Sequence, residues 1–372
     1  MGSSSTPVPP RPRVAFAMEQ SAGHVTNYAN LRRAVDADGR LDPRWIEVGY
    51  EREGGWIERV SDAVRIVPGY VRGVSRAGVE MRRGLGAGES DAIFTNSAVS
   101  PFFVRRFRAT PTLLECDATP KLIDAMPEYT PTPDPEPVAR VKYRLWKRVV
   151  VWGGWVQGWA GWAAQAVSVD YGADPDKIVV NPPGIDLERW TPVDRTPPAP
   201  GSPIRVLFVG GDFARKGGDD LIAWKASSAR DDIELDVVTR EPVDDRPGVR
   251  VHRDMHPNTP ELLALYRDAH VFVLPSRGEC FGIAAIEAMA TGLPVVQSTV
   301  GGSADIVDDG TSGSLVPPSD PAALGAAVEA IVDDPTRWGS MSTRGRQLAE
   351  ERFDVRSNAA TTIDRLSSLA GR

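Results

Sequence analysis

The sequence contains few cysteines. Only Cys116 and Cys280 occur among its 372 residues, too few for the disulfide framework that holds many secreted domains together. A chain of this length can bury full hydrophobic cores in two domains without such cross-links. We therefore expect a cytoplasmic protein in which both thiols stay reduced.

The sequence also lacks a long apolar run. None approaches the roughly 18 residues that a membrane-spanning helix needs, and no signal-peptide pattern precedes Arg13. We expect residues 1–12 to be a disordered leader, although the first of them match the short and permissive myristoylation pattern.

An excess of positive charge is absent as well. Lysine and arginine number 43 against 50 aspartates and glutamates, a net charge of −7, whereas nucleic acids bind basic surfaces. We therefore expect no nucleic-acid partner.

No Asp-x-Asp pair follows a predicted strand, and Pro257 breaks the helix on which His252 and His256 could share a metal. We predict neither a metal nor a cofactor.

Short apolar runs are the main feature of what is present. They fall at 13–18, 45–48, 92–95 and 112–115, and again at 205–209, 235–238, 249–252, 271–274 and 294–297. Strands that alternate with helices form parallel sheets with right-handed crossovers. Ligands of such sheets bind at the carboxyl ends of the strands. The pattern predicts an α/β protein whose second-half motifs converge on one sheet edge.

Proline-rich stretches divide the chain. Residues 191–203 predict an interdomain linker. A first domain then covers 13–190 and a second covers 204–350, followed by a C-terminal helix at 351–372. Proline recurs through residues 130–137, which predicts an exposed loop.

Two glutamates after a predicted strand mark a candidate site. Glu279 and Glu287 stand eight positions apart, with Phe281-Gly282 between them. A helix beginning near Phe281 would offer free N–H groups and a positive dipole end, which favour phosphate. Eight residues at 1.5 Å rise span roughly 12 Å, about the reach from a ribose across a diphosphate to a sugar. We therefore predict that Glu287 holds the ribose and Glu279 the transferred sugar.

Glu287 has nearly all apolar neighbours, which predicts a buried carboxylate rather than an exposed helix glutamate. A buried carboxylate without a partner is costly. A bound ribose or an internal arginine could supply that partner, and we favour the ribose.

The glutamate pair and three further segments resemble retaining glycosyltransferases of family four. In chain order these segments read NPPGID at 181–186, FVGGDFARKGG at 208–218 and GGSADIV at 301–307. The resemblance implies the GT-B fold, two Rossmann-like doubly wound parallel-sheet domains with a cleft between them. It also implies a nucleotide diphosphate sugar as donor, no metal, and an acceptor that attacks from the face the diphosphate leaves.

The resemblance also implies a donor site. Arg215 and Lys216 follow a glycine turn and would bind the diphosphate, with a solvated surface pair as the alternative. The expected donor-binding residues are Gly210, Gly211, Arg215, Lys216, Arg240, Glu279, Cys280, Phe281, Gly282 and Glu287. The expected catalytic residues are Asp117, Arg215, Lys216 and Glu279. Cys280 has no neighbouring base, so we interpret it as a packing residue.

Candidate acceptor-side residues lie in the first half. His24 falls in 21–28, a predicted loop opening a helix, and Asp117 follows a strand where the family more often has a histidine. The alternatives are a surface histidine and, for Asp117, a turn or cap residue ahead of Thr119-Pro120. A glycan, a lipid-linked saccharide and a small molecule all remain open as the acceptor.

Tryptophans and glycines alternate in the middle of the chain. The tryptophans are Trp146, Trp152, Trp155, Trp159 and Trp162, and the basic residues before and among them are Arg140, Lys142, Arg144, Lys147 and Arg148. One interpretation is a membrane-surface helix, but glycine weakens a helix. Comparison with the family favours a helix ending near Trp152, a strand around 155–159 and a new helix. We predict core or cleft packing, with peripheral contact at the inner membrane face as the alternative.

These patterns predict a retaining, metal-independent glycosyltransferase of the hexosyltransferase type. Two alternatives stay open. One is a catalytically weak nucleotide-sugar-binding partner protein, favoured by the altered Cys116-Asp117 stretch. The other is a different GT-B enzyme, such as a phosphorylase or an epimerase.

Overall fold

The computed structural model describes residues 10–50, 69–199 and 201–371. Their strands form two six-stranded sheets. The first sheet contains β1 (Arg13–Glu19), β2 (Asp42–Val48), β3 (Ala92–Thr95), β4 (Thr112–Cys116), β5 (Trp155–Gly158) and β6 (Ile178–Val180). The second contains β7 (Ile204–Val209), β8 (Ile233–Val238), β9 (Val249–His252), β10 (Val271–Leu274), β11 (Val295–Ser298) and β12 (Gly313–Val316).

Helices connect most of these strands. In the described residues they are α1 (Ala22–Asp38), α2 (Gly69–Gly86), α3 (Val104–Ala109), α4 (Pro120–Asp124), α5 (Glu136–Trp152), α6 (Gly161–Tyr171), α7 (Gly218–Ser227), α8 (Pro260–Asp268), α9 (Ile283–Ala290), α10 (Ser303–Ile306), α11 (Pro321–Val332), α12 (Pro335–Arg352) and α13 (Val355–Ala370). Short 3₁₀ turns lie at Ser100–Phe103 and Pro175–Lys177. The predicted α/β class is confirmed.

The described residues divide into two compact units. The first runs up to Glu115 and adds Leu145–Val156 and the residues from Ala359 onward; the second comprises Cys116–Arg144 and Gln157–Asn358. The domain and linker bounds expected from the sequence stay predictions.

In the first sheet the strand order is β2-β1-β3-β4-β5-β6, so the order reverses between β1 and β3. Phe16 pairs in register with Trp45 on one side and Phe94 on the other. Its ring centroid lies 4.3 Å from that of Trp45 and 5.4 Å from that of Phe94. Ile363 and Leu366 of α13 belong to the same buried cluster. Parallel strands covered on both faces are apolar along their length, which made them visible in the sequence.

In the second sheet the order is β12-β11-β10-β7-β8-β9, and it reverses between β7 and β10. This is the strand order of a dinucleotide-binding Rossmann sheet. The buried core around it includes Val206, Phe208, Leu235, Val237, Phe272 and Leu274. The predicted strands 249–252 and 271–274 match β9 and β10, and the other predicted strands of this half differ from the observed ones by one or two residues.

The predicted loop at 21–28 is wrong. Those residues belong to α1, whose N-cap Ser21 has an extended backbone and whose C-cap Gly39 adopts the left-handed conformation at φ +71°. Thr26, Asn27 and Asn30 are at most 7% exposed. The buried Thr26 and Asn27 of the first turns of α1 are polar, and the apolar Leu31 and Val35 follow only later, so the start of the helix cannot be seen in an apolar pattern.

Two neighbouring predictions had different outcomes. The exposed loop predicted at 130–137 is two residues shorter in the structure, because α5 begins at Glu136. Pro137 lies in the first turn of that helix, where a proline is well tolerated. The tryptophan segment has the expected elements, because α5 ends at Trp152, β5 starts at Trp155 and α6 starts at Gly161.

Replacement of Gly217 by alanine should destabilise the protein. Gly217 has φ +77°, and an added Cβ would lie 1.9 Å from the carbonyl oxygen of Pro275. Left-handed strain alone costs about 1–2 kcal/mol, so the free energy of unfolding should fall by about 2 kcal/mol or more in urea titrations. The control is Gly339→Ala in α12, where nothing lies within 4 Å and a gain of about 0.5–1 kcal/mol is expected. Equal stability of the two variants would contradict the backbone geometry.

Candidate functional site

The loops that follow β7 and β10 meet where the strand order of the second sheet reverses, the usual ligand position in such sheets. Residues 210–217 follow β7 and residues 275–281 follow β10. The amide of Arg277 donates to the carbonyl of Arg215 at 2.8 Å. The Arg277 side chain donates to both carboxylate oxygens of Asp220, at 3.0 and 2.7 Å. The two loops are therefore fixed to each other through backbone and side chain.

Arg215 is held from three sides. Its Nε donates to Asp212 Oδ2 at 2.8 Å, and its Nη1 donates to the Tyr129 hydroxyl and the Gly278 carbonyl, both at 2.9 Å. The guanidinium carbon also lies 4.5 Å from the centroid of the Tyr129 ring. Only 13% of the Arg215 side chain is exposed, so the solvated surface pair considered for it is not what the structure has.

Lys216 forms an ion pair with Glu279 through Nζ and Oε2. Glu279 is 5% exposed and also accepts from the Ser276 hydroxyl at 3.4 Å and from the Cys280 amide at 3.2 Å. The structure thus brings together three of the predicted site residues, Arg215, Lys216 and Glu279. Glu279 balances Lys216 and Asp212 balances Arg215, so the four side chains together carry no net charge without a ligand.

The helix that carries Glu287 begins later than predicted. Gly282, at φ +106°, is the N-cap, and α9 starts at Ile283 rather than near Phe281. An added Cβ at Gly282 would lie 2.9 Å from Gln297 Nε2. The left-handed cap therefore sets the start of α9, which follows the loop after β10 and leaves the N–H groups of its first turn without partners inside the helix.

Glu287 is buried, as predicted. It is 5% exposed, and its Oε2 accepts a hydrogen bond from the Tyr266 hydroxyl at 3.0 Å. Burial raises the pKa of Glu287 to about 8, although the Tyr266 hydrogen bond acts in the opposite direction. The partner in the described structure is a tyrosine, whereas the sequence analysis considered a ribose or an arginine.

The remaining predicted donor residues differ in their surroundings. Gly210 is buried, whereas Gly211 is exposed and an added Cβ there would meet nothing within 4 Å. Arg240 is exposed beyond the end of β8. Phe281 is 2% exposed, and its ring contacts Trp159 with centroids 5.7 Å apart. Gly211 and Arg240 are therefore open to a ligand, and Phe281 is part of the core.

Cys280 and Asp117 are close enough to interact. Cys280 is 6% exposed; burial raises the pKa of its thiol, and Asp117 and Glu279 raise it further. The neutral thiol agrees with a packing residue. The cap of α4 is Thr119, which accepts from the Leu122 amide at 3.4 Å. Asp117 accepts instead from the adjacent Ala118 amide at 2.8 Å, so the helix-cap alternative for Asp117 is wrong.

Sequence reasoning missed a polar network at the switch point of the first sheet. His24 Nδ1 lies 3.2 Å from Asn96 Nδ2, and that amide also donates to Glu115 at 3.1 Å. The Asn27 side chain donates to Glu115 at 2.9 Å, and Asn96 Oδ1 accepts from the Glu19 backbone amide at 2.8 Å. Polar residues directly at the ends of β1, β3 and β4 were the signal that could have predicted it.

Two other features bear on the expected ligands. His252 Nε2 lies 2.8 Å from Asp236 Oδ1; within the described ranges no three His, Cys, Asp or Glu side chains are grouped as metal ligands. No helix in the described part of the chain combines the length and the hydropathy needed to cross a membrane.

Comparisons with known proteins agree with this geometry. Residues 203–334 match the family of glycosyl transferases group 1. The D-inositol 3-phosphate glycosyltransferase of Arthrobacter sp. (strain FB24) is 36% identical over 228 residues, 54% of this chain and 52% of that protein. The protein of the same name from Geodermatophilus obscurus is 38% identical over 187 residues, 44% of this chain and 42% of that protein. The chain thus spans about half the length of the curated relatives it matches.

Solved structures extend the likeness over nearly the whole chain. Sucrose-phosphate synthase from Thermosynechococcus elongatus has a TM-score of 0.74 at 20% identity, over 97% of this chain and 100% of that one. HepE of Anabaena, solved with UDP and glucose, has a TM-score of 0.63 at 15% identity, over 96% of this chain and 100% of that one. These likenesses confirm the predicted GT-B fold. Residues 203–334 are the part of the chain that resembles the glycosyl transferases group 1 family.

Replacement of Glu287 by glutamine should change how stability depends on pH. The folded-state pKa of about 8 lies above the ordinary value of 4.5, so between these values the folded protein binds a proton that the unfolded chain has lost. The free energy of unfolding should therefore fall as the pH rises from 5 to 8, by up to about 1.4 kcal/mol per unit. Glu287→Gln removes this dependence.

Urea unfolding at pH 5, 6.5 and 8 measures the effect. Glu261→Gln, at an exposed glutamate of α8, is the control and should keep the wild-type slope. Parallel stability curves for wild type and Glu287→Gln would show that Glu287 is not the buried proton-binding group.

Proposed function

We propose that this protein is a retaining glycosyltransferase that moves a sugar from a nucleotide diphosphate sugar to an acceptor hydroxyl. The observation that carries the proposal is the group at the switch point of the second sheet, where Arg215 and Lys216 lie beside Glu279 and next to the start of α9. Cations and a helix N-terminus both stabilise a departing diphosphate. The match of residues 203–334 to the glycosyl transferases group 1 family supports this function.

The charges suit a reaction without a metal. When the acceptor oxygen bonds to the anomeric carbon, the bond from that carbon to the phosphate oxygen breaks. The electron pair of the broken bond stays on the diphosphate, which takes the proton of the acceptor hydroxyl. Arg215 and Lys216 would stabilise the negative charge that develops on the diphosphate, and no covalent sugar–protein intermediate is required.

The donor sugar is proposed to be carried by a nucleoside diphosphate whose ribose contacts Glu287. HepE, a structure of the same fold, has been solved with UDP and with UDP-glucose, so uridine donors are the first to test. The exposed Gly211 and Arg240 leave room beside the loop for the nucleotide.

The acceptor is proposed to be a hydroxyl-rich molecule at the edge of the first sheet, where His24, Asn96 and Glu115 form the polar network. Amide and carboxylate groups of this kind recognise sugar and polyol hydroxyls. Because curated relatives are named D-inositol 3-phosphate glycosyltransferases, inositol 3-phosphate is the first acceptor to test. Asp117 remains a candidate for orienting acceptor or donor.

Lys216→Ala should abolish stabilisation by the donor. A donor at a hundred times its dissociation constant adds roughly 2.7 kcal/mol to the free energy of unfolding. A thermal-shift panel of uridine, guanosine and adenosine diphosphate sugars should therefore identify one that raises the wild-type Tm but not that of Lys216→Ala. Lys177→Ala, at an exposed lysine of the same unit, should respond like wild type.

Two outcomes of the donor assay would oppose the proposal. If no nucleotide sugar stabilises the wild-type protein, the donor site is wrong. If a donor binds but is neither transferred nor hydrolysed, the protein is a nucleotide-sugar-binding protein rather than an enzyme.

The cytoplasmic location and peripheral membrane contact are also proposals. Phe102 and Trp152 are 65% and 52% exposed, and the guanidinium groups of Arg108 and Arg148 lie 5.8 and 5.9 Å from the Trp152 ring. Exposed aromatic rings flanked by arginines suit the interface of an anionic bilayer.

Co-sedimentation with vesicles tests membrane contact. Wild type should bind vesicles of phosphatidylglycerol better than vesicles of phosphatidylcholine, and Trp152→Ala combined with Phe102→Ala should bind several-fold less. Val169→Ala removes a side chain that is 75% exposed elsewhere and should leave binding unchanged. Absence of wild-type binding to both vesicles would rule the contact out.

A further inference from the structure

Tyr129 contacts the proposed diphosphate site from a distant part of the chain. It lies between α4 and α5, 86 positions before Arg215. Its hydroxyl accepts from Arg215 Nη1 at 2.9 Å, and the Cys280 thiol donates to the same oxygen at 3.6 Å. Its ring lies under the guanidinium at 4.5 Å. Tyr129 thus contacts both loops of the switch point, and no motif in the sequence pointed to it.

The chain around Tyr129 is built to hold it there. The amides of Tyr129 and Thr130 both donate to the Met126 carbonyl, at 3.0 and 3.1 Å. Gly278 provides the space, because an added Cβ would lie 3.0 Å from Glu128 Cβ and 3.4 Å from the Tyr129 ring. The contact therefore depends on a tight turn on one side and on a glycine on the other.

Lys142 fixes the two ends of the same segment. Its Nζ lies 2.6 Å from Asp124 Oδ2, at the end of α4, and 2.6 Å from Asp134 Oδ2, shortly before α5. The Tyr143 hydroxyl also donates to Asp124 at 2.6 Å. Lys142, which the sequence placed in a basic cluster for an anionic surface, instead closes the loop that carries Tyr129. These contacts join the two ends of the loop.

The hydrogen bonds of Arg215 leave part of its guanidinium for a ligand. Nε and Nη1 are used by Asp212, Tyr129 and Gly278, whereas Nη2 has no hydrogen-bond partner among the described residues. A planar guanidinium fixed through two nitrogens presents the third in a defined direction. An arginine without these contacts would lose that direction among its many rotamers.

We propose that Tyr129 is a positioning residue for donor binding. Its ring and hydroxyl hold the Arg215 guanidinium so that Nη2 binds an oxygen of the donor diphosphate. The inference rests on the proposed function, and it adds a residue from outside the family-like motifs to the donor site. Tyr129 acts through Arg215 and contacts no reacting atom.

A double-mutant cycle tests this role. The probe is the nucleotide sugar that stabilises the wild-type protein in the panel, starting with UDP-glucose, and its dissociation constant is measured by calorimetry. Tyr129→Ala should weaken binding roughly tenfold, in keeping with a desolvated cation–π contact. Tyr129→Phe keeps the ring and should weaken binding only about threefold. In an Arg215→Ala background, Tyr129→Ala should have little further effect.

Controls separate positioning from folding and from the proposed function. Urea unfolding shows whether each variant is folded, and Tyr28→Phe, which removes a hydroxyl from the first unit, should bind donor like wild type. In kinetics, Tyr129→Phe should raise the donor KM more than it lowers kcat.

Five results decide the matter. If Tyr129→Ala weakens donor binding as much in the Arg215→Ala background as in the wild-type background, Tyr129 acts independently of Arg215. Unchanged donor binding by Tyr129→Ala would mean that the ring does not position Arg215. Tighter binding would mean that the ring blocks the site. If Lys216→Ala no longer binds the donor but the Tyr129 variants bind it like wild type, only this inference fails. If wild type binds no nucleotide sugar, the proposed function fails with it.

Discussion

The structure of the second sheet depends on bringing two cations close to the start of a helix with little exposure to water. Arg215 and Lys216 follow β7, and the partly buried Arg215 is stabilised there by the Asp212 carboxylate and by hydrogen bonds to Tyr129 and Gly278. Lys216 is balanced in the same way by Glu279. Because the cost of burying a charge is large, each cation must have a partner in the absence of ligand. A diphosphate that enters this group finds its counter-charges already in place, without the cost of assembling them.

The surrounding features serve that arrangement. Gly217 and Gly282 take left-handed conformations that L side chains avoid, which lets one loop approach Pro275 and lets α9 start directly after Gly282. Arg277 and Asp220 join the two loops. Asp305, in the third family-like segment, accepts from the Gly161 amide at 3.2 Å at the start of α6.

The sequence predicts most strands and the burial of Glu287, but not the side chains that contact the predicted site residues from elsewhere in the fold. Most strands of both sheets were visible because parallel strands buried on two faces are continuously apolar, whereas the short β6 and β12 were not predicted. The burial of Glu287 was also visible from its apolar neighbours, but its partner Tyr266 lies 21 positions away and no local pattern connects them. The same holds for Tyr129 and Arg215. In the first turns of α1 the buried Thr26 and Asn27 are polar, so the start of this helix was taken for a loop. Residue patterns predict elements and their edges, whereas partners across the fold depend on tertiary packing.

The account is tested most directly by a crystal structure with an intact nucleotide diphosphate sugar. We expect the diphosphate within hydrogen-bond distance of Arg215, Lys216 and the first N–H groups of α9, with the ribose on Glu287. A donor bound away from this switch point, or a diphosphate without contact to either cation, would contradict the central claim.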